Sequence, residues 1–323
     1  MRRMLLLLLL LLAAGAARAA PGLLVVSGIG GEEAYAQQFR TWAIEMLDAA
    51  QQRLGLAGER IVWLCESPAR DAPRCAGESR REAVLAALAR LARDGEADAP
   101  LLLLLIGHGT ARDGRALFNL PGPDLSADDL AEALDAVAGR RVAVVNTSPA
   151  SAPFATVLAG PGRVVITATA SAAENDHTRF AAHFVAAYAG AAADADKDAR
   201  VSLLEAFRFA AAEVAREYSV KQQIATEHAM LEDSGDGQGS REPAADGADG
   251  ALAAQFHLAL SPGAHSDSPL VRELERDARE LVARVAALRR QRVAMAPQRY
   301  EQALEELLLA LARNRRALRA AAP

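Results

Sequence analysis

Six consecutive apolar residues, LLLLLI at positions 101–106, limit the fold of this chain more than any other feature. A strand that is apolar at every position, and not only at alternate ones, is buried on both of its faces. Such strands belong to parallel sheets, because the crossover connections between parallel strands place helices over both faces. We therefore expect a mostly parallel sheet with helices on each side.

The same alternation of short apolar runs and amphipathic stretches continues along the chain. Apolar runs predict strands at residues 23–27, 61–64, 101–106, 142–145 and 163–169. Apolar residues at helical spacing predict helices at residues 33–54, 79–93, 124–137 and 177–189. Repeated strand and helix units predict the α/β class, and a chain of 323 residues with 51% hydrophobic residues can bury a large core.

The N-terminal segment has the organisation of a signal peptide. Arg2 and Arg3 precede an apolar block at residues 5–12, and the small-residue tripeptide ARA at 17–19 suits cleavage. The block is short for a membrane span, and no later segment of the sequence is apolar over the ~18 residues that a span requires. The sequence therefore predicts a signal peptide at residues 1–20, a secreted or periplasmic location, and no membrane anchor after cleavage.

Export bears on the two cysteines, Cys65 and Cys75. An oxidising compartment allows two cysteines ten positions apart to pair across the intervening Pro-containing loop. We favour a disulfide over two free thiols. A metal site is disfavoured because no further cysteine or histidine lies near them in the sequence.

Charge and motifs argue against three functional classes. The 36 basic and 41 acidic residues give a net charge of −5, which disfavours a nucleic-acid partner. The stretch GIGG at 28–31 is not a dinucleotide loop, because Glu33 occupies the third glycine position and Glu32 beside it repels a pyrophosphate. The loop after the fourth predicted strand reads NTSPA, which is not a G-x-S-x-G nucleophile elbow.

A histidine between two glycines follows the apolar strand directly, at Gly107-His108-Gly109. In open α/β sheets, sites lie at the carboxyl ends of the strands, which is where this histidine falls. The alternative is a tight turn whose histidine is satisfied by a neighbouring carbonyl. The next predicted strand runs into the loop NTSPASAPF at residues 146–154, which is rich in small and hydroxylated residues.

These two loops resemble those of the legumain and caspase clan of cysteine peptidases. In that clan a catalytic His-Gly follows one strand, and the nucleophilic cysteine follows the next strand in a loop of small residues. The segments LLVVSGIGGEEAYAQQFRTW and GERIVWL also resemble the opening strand, first helix and second strand of legumain. The resemblance covers residues 23–190 and implies a caspase-like three-layer α/β/α fold with a mostly parallel sheet.

The chain departs from the clan at the nucleophile, where Ser148 stands in place of cysteine. A thiol with a pKa of ~8.5 is already partly ionised, whereas a hydroxyl needs a close base that is itself oriented by a carboxylate. Asp113 and Asp124 are the candidates to orient His108, and Ser151 is the other hydroxyl in the loop.

The resemblance therefore leaves two functional hypotheses. We favour a non-cleaving peptidase homologue that binds a peptide or protein, because the thiol on which the catalytic dyad depends is missing. The alternative is an active endopeptidase with a His108/Ser148 dyad. In that case the resemblance implies that His108 is the general base, that Ser148 attacks, and that backbone amides near Gly109 stabilise the oxyanion.

A separate motif, DADKDARVSLLE at residues 194–205, predicts a calcium site. Its acidic and polar residues fall on positions 1, 3, 5, 7, 9 and 12 of an EF-hand loop, namely Asp194, Asp196, Asp198, Arg200 through its carbonyl, Ser202 and Glu205. Ala199 stands at position 6, where glycine is usual. The alternative is an acidic surface loop before a helix that starts near Val201. A related stretch, EDSGDGQG at 232–239, reads as an ordinary turn.

The last segment changes pattern. Apolar residues recur at coiled-coil spacing in two sets, Leu274, Ala278, Leu281, Val285 and Leu288, then Tyr300, Leu304, Leu307 and Leu311. Two amphipathic helices joined at residues 295–297 predict an α-helical hairpin, whose seam is buried against itself, against the α/β domain or against a second copy.

The sequence thus predicts three parts: a signal peptide at 1–20, an α/β domain at 21–262 and a C-terminal hairpin at 263–323. A Gly- and Asp-rich loop at 240–250 precedes AAQFHLAL, residues 253–260, which we expect to add a short strand to the sheet.

Overall fold

A computed structural model describes residues 21–95, 99–112, 115–258 and 295–321, together with single helical positions between 270 and 288. The predicted signal peptide at 1–20 and most of the first hairpin helix lie outside the described residues. Within the described part of the chain, no helix has the length and apolar character that crossing a membrane requires.

The strands form two sheets. In chain order the strands are β1 Gly22–Ser27, β2 Ile61–Cys65, β3 Gly77–Glu78, β4 Leu101–Ile106, β5 Gly109–Arg112, β6 Arg115–Phe118, β7 Leu125–Ser126, β8 Val142–Asn146, β9 Arg163–Thr167 and β10 Met230–Glu232. A 7-stranded sheet has the order β10-β9-β8-β4-β1-β2-β3, and a 3-stranded sheet has the order β5-β6-β7. Every pair in the larger sheet is parallel except β10 with β9.

Helices cover both faces of the larger sheet. They are α1 Glu33–Gln52, α2 Pro68–Asp71, α3 Arg81–Asp94, α4 Ala127–Asp135, α5 Pro153–Leu158, α6 Phe180–Ala189, α7 Leu203–Val220 and α8 Pro297–Ala321. Leu102 and Leu104 of β4 share a core with α1, α6 and α7. Leu101 and Leu103 share a second core with α3, α4 and α5. The predicted α/β class with a mostly parallel sheet is therefore confirmed.

Local chemistry shifts some predicted boundaries. The helix predicted from residue 124 begins only at Ala127, because the Ser126 hydroxyl accepts from the Asp129 amide and the Asp129 carboxylate accepts from the Ser126 amide. This capping box ends β7 and starts α4. The small sheet that β7 joins was not predicted, since β5 is polar and largely exposed.

Of the strand predicted at residues 253–260, residues 253–258 add no strand to the sheet, and residues 259–260 lie outside the described residues. Ala253–Gln255 forms a single 3-10 turn, and the sheet ends instead with β10. The Asp233 carboxylate accepts hydrogen bonds from the amides of Gly250 and Ala253, both at 2.7 Å, and His257 forms only an isolated bridge with Ser202. These amides are consequently not available to a strand partner.

The C-terminal helix predicted from Pro297 is confirmed as α8. Its Asn314 Nδ2 donates a hydrogen bond to the backbone oxygen of Leu274 at 3.0 Å. The helical hairpin as a whole stays a prediction, because most of its first helix lies outside the described residues.

The predicted disulfide is present. Cys65, the last residue of β2, pairs with Cys75 across a sequence separation of 10 residues. Both cysteines are buried and belong to the core beneath α1. The bond closes the loop that carries α2 next to the carboxyl end of β2.

Removing this bond should destabilise the fold. For a loop of this length the chain-entropy account gives roughly 2–3 kcal/mol, so the Cys65→Ala/Cys75→Ala variant should lose about that much unfolding free energy. Urea unfolding of the variant and of oxidised wild type measures the difference. Wild type kept reduced with a thiol is the control and should match the variant. Equal urea midpoints for all three proteins would show that the bond contributes nothing.

Candidate site at the carboxyl end of the sheet

His108 lies at the carboxyl end of β4 and is half-buried. Its Nε2 lies 3.2 Å from the backbone oxygen of Gly30, in the loop after β1. Because a carbonyl only accepts, Nε2 carries the proton, and in the neutral ring the lone pair is on Nδ1. The Gly30 amide in turn donates to Glu66 Oε2 at 3.1 Å. A peptide group therefore orients the ring, and a carboxylate binds that peptide.

Of the two carboxylates expected to orient His108, only Asp124 lies within the described residues, and it makes a different contact. Asp124 Oδ1 accepts from the Leu120 amide at 3.0 Å instead, which holds the turn before β7. Asp113 lies outside the described residues. Glu66 was not predicted, because its link to His108 passes through the backbone of a third loop.

The glycines before α1 serve close packing. A Cβ on Gly30 would lie 2.5 Å from the Ala36 nitrogen, and a Cβ on Gly28 would lie 2.5 Å from the Asn119 oxygen. A larger residue at either position would push the loop away from its neighbours. These glycines therefore hold the loop close enough for the Gly30 carbonyl to reach His108.

Ser148 follows β8 and is almost completely buried, with 1% of its surface exposed. Its hydroxyl donates to Asn146 Oδ1 at 2.7 Å, and its amide donates to the same oxygen at 3.0 Å. Its Oγ lies against Gly109, where a Cβ would be only 2.4 Å away. Although their loops touch, His108 and Ser148 share no hydrogen bond within the described structure. Ser151 pairs with Thr169, with their hydroxyl oxygens 3.2 Å apart.

Five rings gather beside His108, and we call them the ring cluster: Tyr35, Phe39, Trp42, His108 and His177. The centroid of His108 lies 4.8 Å from Tyr35 and 5.1 Å from Phe39, both edge to face. His177 lies 4.8 Å from Tyr35 and 6.2 Å from His108. Phe39 is buried, but Tyr35 and Trp42 are half-exposed.

His177 was missed by the sequence analysis, since a single histidine in the loop before α6 carries no pattern. Its pKa is lowered from the ordinary histidine value. Burial among the rings is the main cause, and the positive charges of His108 and Arg179 add to it. The ring therefore favours the neutral state.

A third histidine near the same end of the sheet, His228, is paired with a carboxylate. His228 Nδ1 lies 2.7 Å from Glu174 Oε1, while Glu174 Oε2 accepts from the amides of Ala170 and His228. The backbone oxygen of Glu174 accepts from the Ala150 amide, which links this pair to the Ser148 loop. Neighbouring Glu227 has a structural role, because it accepts from the Phe180 amide at the start of α6.

The predicted calcium loop has a preformed cluster of acids. Asp194, Asp196 and Asp198 each offer a carboxylate oxygen, and these oxygens lie within 4.8 Å of one another. Lys197 has φ +59° and Ala199 has φ +67°, so the loop makes its sharp turn although no glycine is present. Alanine is strained in this conformation by roughly 1–2 kcal/mol.

The remaining predicted calcium ligands make other contacts. Glu205 Oε2 accepts from the Ser202 hydroxyl at 2.8 Å, and Glu205 Oε1 accepts from the Ala195 amide at 3.0 Å. Ser202 and Glu205 thus form the capping box of α7. The side chain of Arg200, whose carbonyl is the predicted ligand, donates to Asp198 Oδ2 at 3.1 Å, so the Asp198 carboxylate also has another partner. Glu205 would therefore have to exchange hydrogen bonds for a cation.

No protein-family model matches the chain, and a search of curated proteins also found no match.

The ring cluster should make stability depend on pH. The pKa of His177 is lower in the folded protein than in the unfolded chain, where it has its ordinary value of ~6.5. As the pH falls below that value, the unfolded chain binds a proton that the folded protein does not, so the unfolding free energy decreases. The His177→Gln variant should consequently lose less stability than wild type between pH 7 and pH 5. Urea unfolding at both values measures this. The two proteins should respond alike between pH 7 and pH 8, and parallel losses below pH 7 would contradict the prediction.

Proposed function

We propose that this protein is an exported, non-cleaving homologue of the legumain and caspase clan that binds a peptide or protein at the carboxyl end of its sheet. One observation carries the proposal: the Ser148 hydroxyl is buried and donates a hydrogen bond to Asn146 Oδ1. A chain of this kind would keep the caspase-like architecture of a peptidase cleft without its nucleophile.

The chemistry of a serine nucleophile explains why this contact matters. The hydroxyl must give its proton to a base within about 2.6–3.2 Å at the moment of attack. An amide oxygen such as that of Asn146 is not such a base. His108 presents the N–H of its Nε2 to Gly30 and is oriented by a neutral peptide group. The lone pair on His108 Nδ1 can accept a proton, but the Ser148 hydroxyl is directed to Asn146 and not to that ring, so the dyad is not assembled.

The ring cluster supports a binding role. Tyr35, Trp42, His108 and His177 are each half-buried, so part of each residue is open to solvent. Ile29, in the loop between β1 and α1, is 37% exposed. Aromatic side chains are favoured at recognition surfaces, because they supply a large contact area and lose little conformational freedom on binding. A hydrophobic or aromatic side chain of a peptide suits this surface.

The alternative is an active endopeptidase with a His108/Ser148 dyad. It is favoured by the contact of Ser148 Oγ with Gly109, the residue after the histidine. We retain it as the second candidate.

A peptide library separates the two functions. The protein from residue 21 onward is incubated with diverse peptides and calcium, beside the His108→Ala and Ser148→Ala variants, and products are identified by mass spectrometry. We expect no cleavage by any of them, and peptides retained on immobilised wild type. Cleavage by wild type that is lost in both variants would establish the endopeptidase.

The binding surface has its own variants. Tyr35→Ala should weaken the affinity for the retained peptides roughly tenfold, which corresponds to the loss of one aromatic contact. Glu45→Ala, an exposed position on the same helix, is the matched control and should bind as wild type does. Cleavage gained by Ser148→Cys would show an intact cleft that lacks only its nucleophile. If the Ser148→Cys variant also cleaves no peptide, the site lacks more of the catalytic arrangement than the thiol.

We also propose that the loop at residues 194–205 binds Ca²⁺ and stabilises the start of α7. The proximity of three carboxylate oxygens supports a hard divalent cation, whose preferred ligands are oxygens. Asp194, Asp196 and Asp198 would hold it, with Glu205 closing the shell if it exchanges its capping contacts. The strain at Ala199 predicts a weak site, which the calcium level outside cells suits.

Calcium should raise the melting temperature of wild type relative to protein in EDTA. At free Ca²⁺ ten times the Kd, the stabilisation is about 1.4 kcal/mol. Asp196→Asn should abolish this shift, whereas Ala199→Gly should tighten binding, because glycine removes the strain at positive φ. Asp246→Asn, at an exposed acid in another loop, is the control. Equal melting with calcium and EDTA, or a shift that persists in Asp196→Asn, would refute the site.

A further inference from the structure

The C-terminal helix α8 has two different faces. Tyr300, Leu304, Leu307 and Leu311 lie on one face and are half-buried. The opposite face, which we call the outer face, carries Glu301, Glu305, Leu308, Leu309, Ala312 and Arg316, all of them exposed. The half-buried face matches the seam predicted from the sequence. The outer face is not explained by that seam.

Two adjacent leucines lie in the middle of the outer face. Leu308 is 44% exposed and Leu309 is 49% exposed. Consecutive residues of a helix project about 100° apart, so the two leucines lie on either side of the outer face and together form a small apolar patch across its middle. Such a patch at the midpoint of a 25-residue helix is suited to contact with another surface.

The charges on either side of the leucines have opposite signs. Glu301 and Glu305 precede the patch, and Arg313 and Arg316 follow it. All four are exposed, and none forms an ion pair with another described residue. The helix dipole does not account for this arrangement, because its effect is confined to the first and last turns of the helix. These four residues lie between those two turns.

A second copy of α8 in antiparallel orientation satisfies the whole pattern. The register that places Leu308 of one copy against Leu309 of the other also places Glu301 against Arg316, because both pairs are symmetric about the same point of the helix. Glu305 then lies close to Arg313. A parallel arrangement would instead place like charges together, which is unfavourable.

We propose that two copies of this protein form a dimer through the outer faces of α8, antiparallel and related by a two-fold axis that passes between Leu308 and Leu309. The occupant is a second copy because the face is complementary to itself, the property that a two-fold interface requires. The leucines supply the affinity, and the flanking charges set the orientation and the register. This inference does not depend on the proposed peptide-binding function.

Charge exchange tests the pairing in the full chain from residue 21 onward. Sedimentation equilibrium at several concentrations gives the dimer Kd. Leu308→Asp should weaken the dimer at least tenfold. Glu301→Arg and Arg316→Glu should each weaken it several-fold, and the combined Glu301→Arg/Arg316→Glu variant should restore it. All three substituted positions are exposed, and circular dichroism checks that each of the four variants is folded. A monomer at every concentration, or a dimer indifferent to these changes, would overturn the proposal.

Cysteine crosslinking tests the orientation. Because Cys65 and Cys75 are bonded to each other, introduced thiols react without competition from them. Under mild oxidation the Glu301→Cys/Arg316→Cys variant should form covalent dimers, whereas Glu301→Cys alone and Arg316→Cys alone should form few. Efficient dimers of either single variant would indicate a parallel pair and would overturn the antiparallel arrangement. Equal crosslinking of all three would indicate random collision and would overturn it as well.

Discussion

The burial of β4 on both faces is the constraint on which the rest of the structure depends. Leu102 and Leu104 pack under α1, α6 and α7, while Leu101 and Leu103 pack under α3, α4 and α5. A strand with no polar position needs a helix layer on each side, and its parallel neighbours β1 and β8 follow from the connections that carry those helices. The same arrangement directs the loops after β1, β2, β4 and β8 to one edge of the sheet.

The site at that edge depends on backbone contacts between loops more than on pairs of side chains. His108 is oriented by the Gly30 carbonyl, the Gly30 peptide is bound by Glu66, and Ser148 is held by Asn146. Each contact joins residues from different loops or fixes a loop against its own strand. These contacts tie the loops after β1, β2 and β4 together, and the serine hydroxyl donates to an amide oxygen.

The segment around α7 shows how one sequence pattern can serve two structures. Positions 9 and 12 of the calcium motif are Ser202 and Glu205, and these are also the N-cap and third residues of a capping box. The structure uses them as the cap, and the three aspartates before them remain gathered. Local hydrogen bonds thus build the loop, and a cation would act on a turn that the backbone has already made.

The sequence by itself determined the α/β class, most strand positions, the helix from Pro297 and the pairing of the two cysteines. These follow from period, burial and spacing, which are local properties of the chain. Tertiary structure alone decided that Asp233 binds the Ala253 amide where a strand was predicted, that Gly30 orients His108, and that His177 and Glu66 join the site. Each of these depends on a contact between residues far apart in the chain, and the sequence pattern carries no record of such distances.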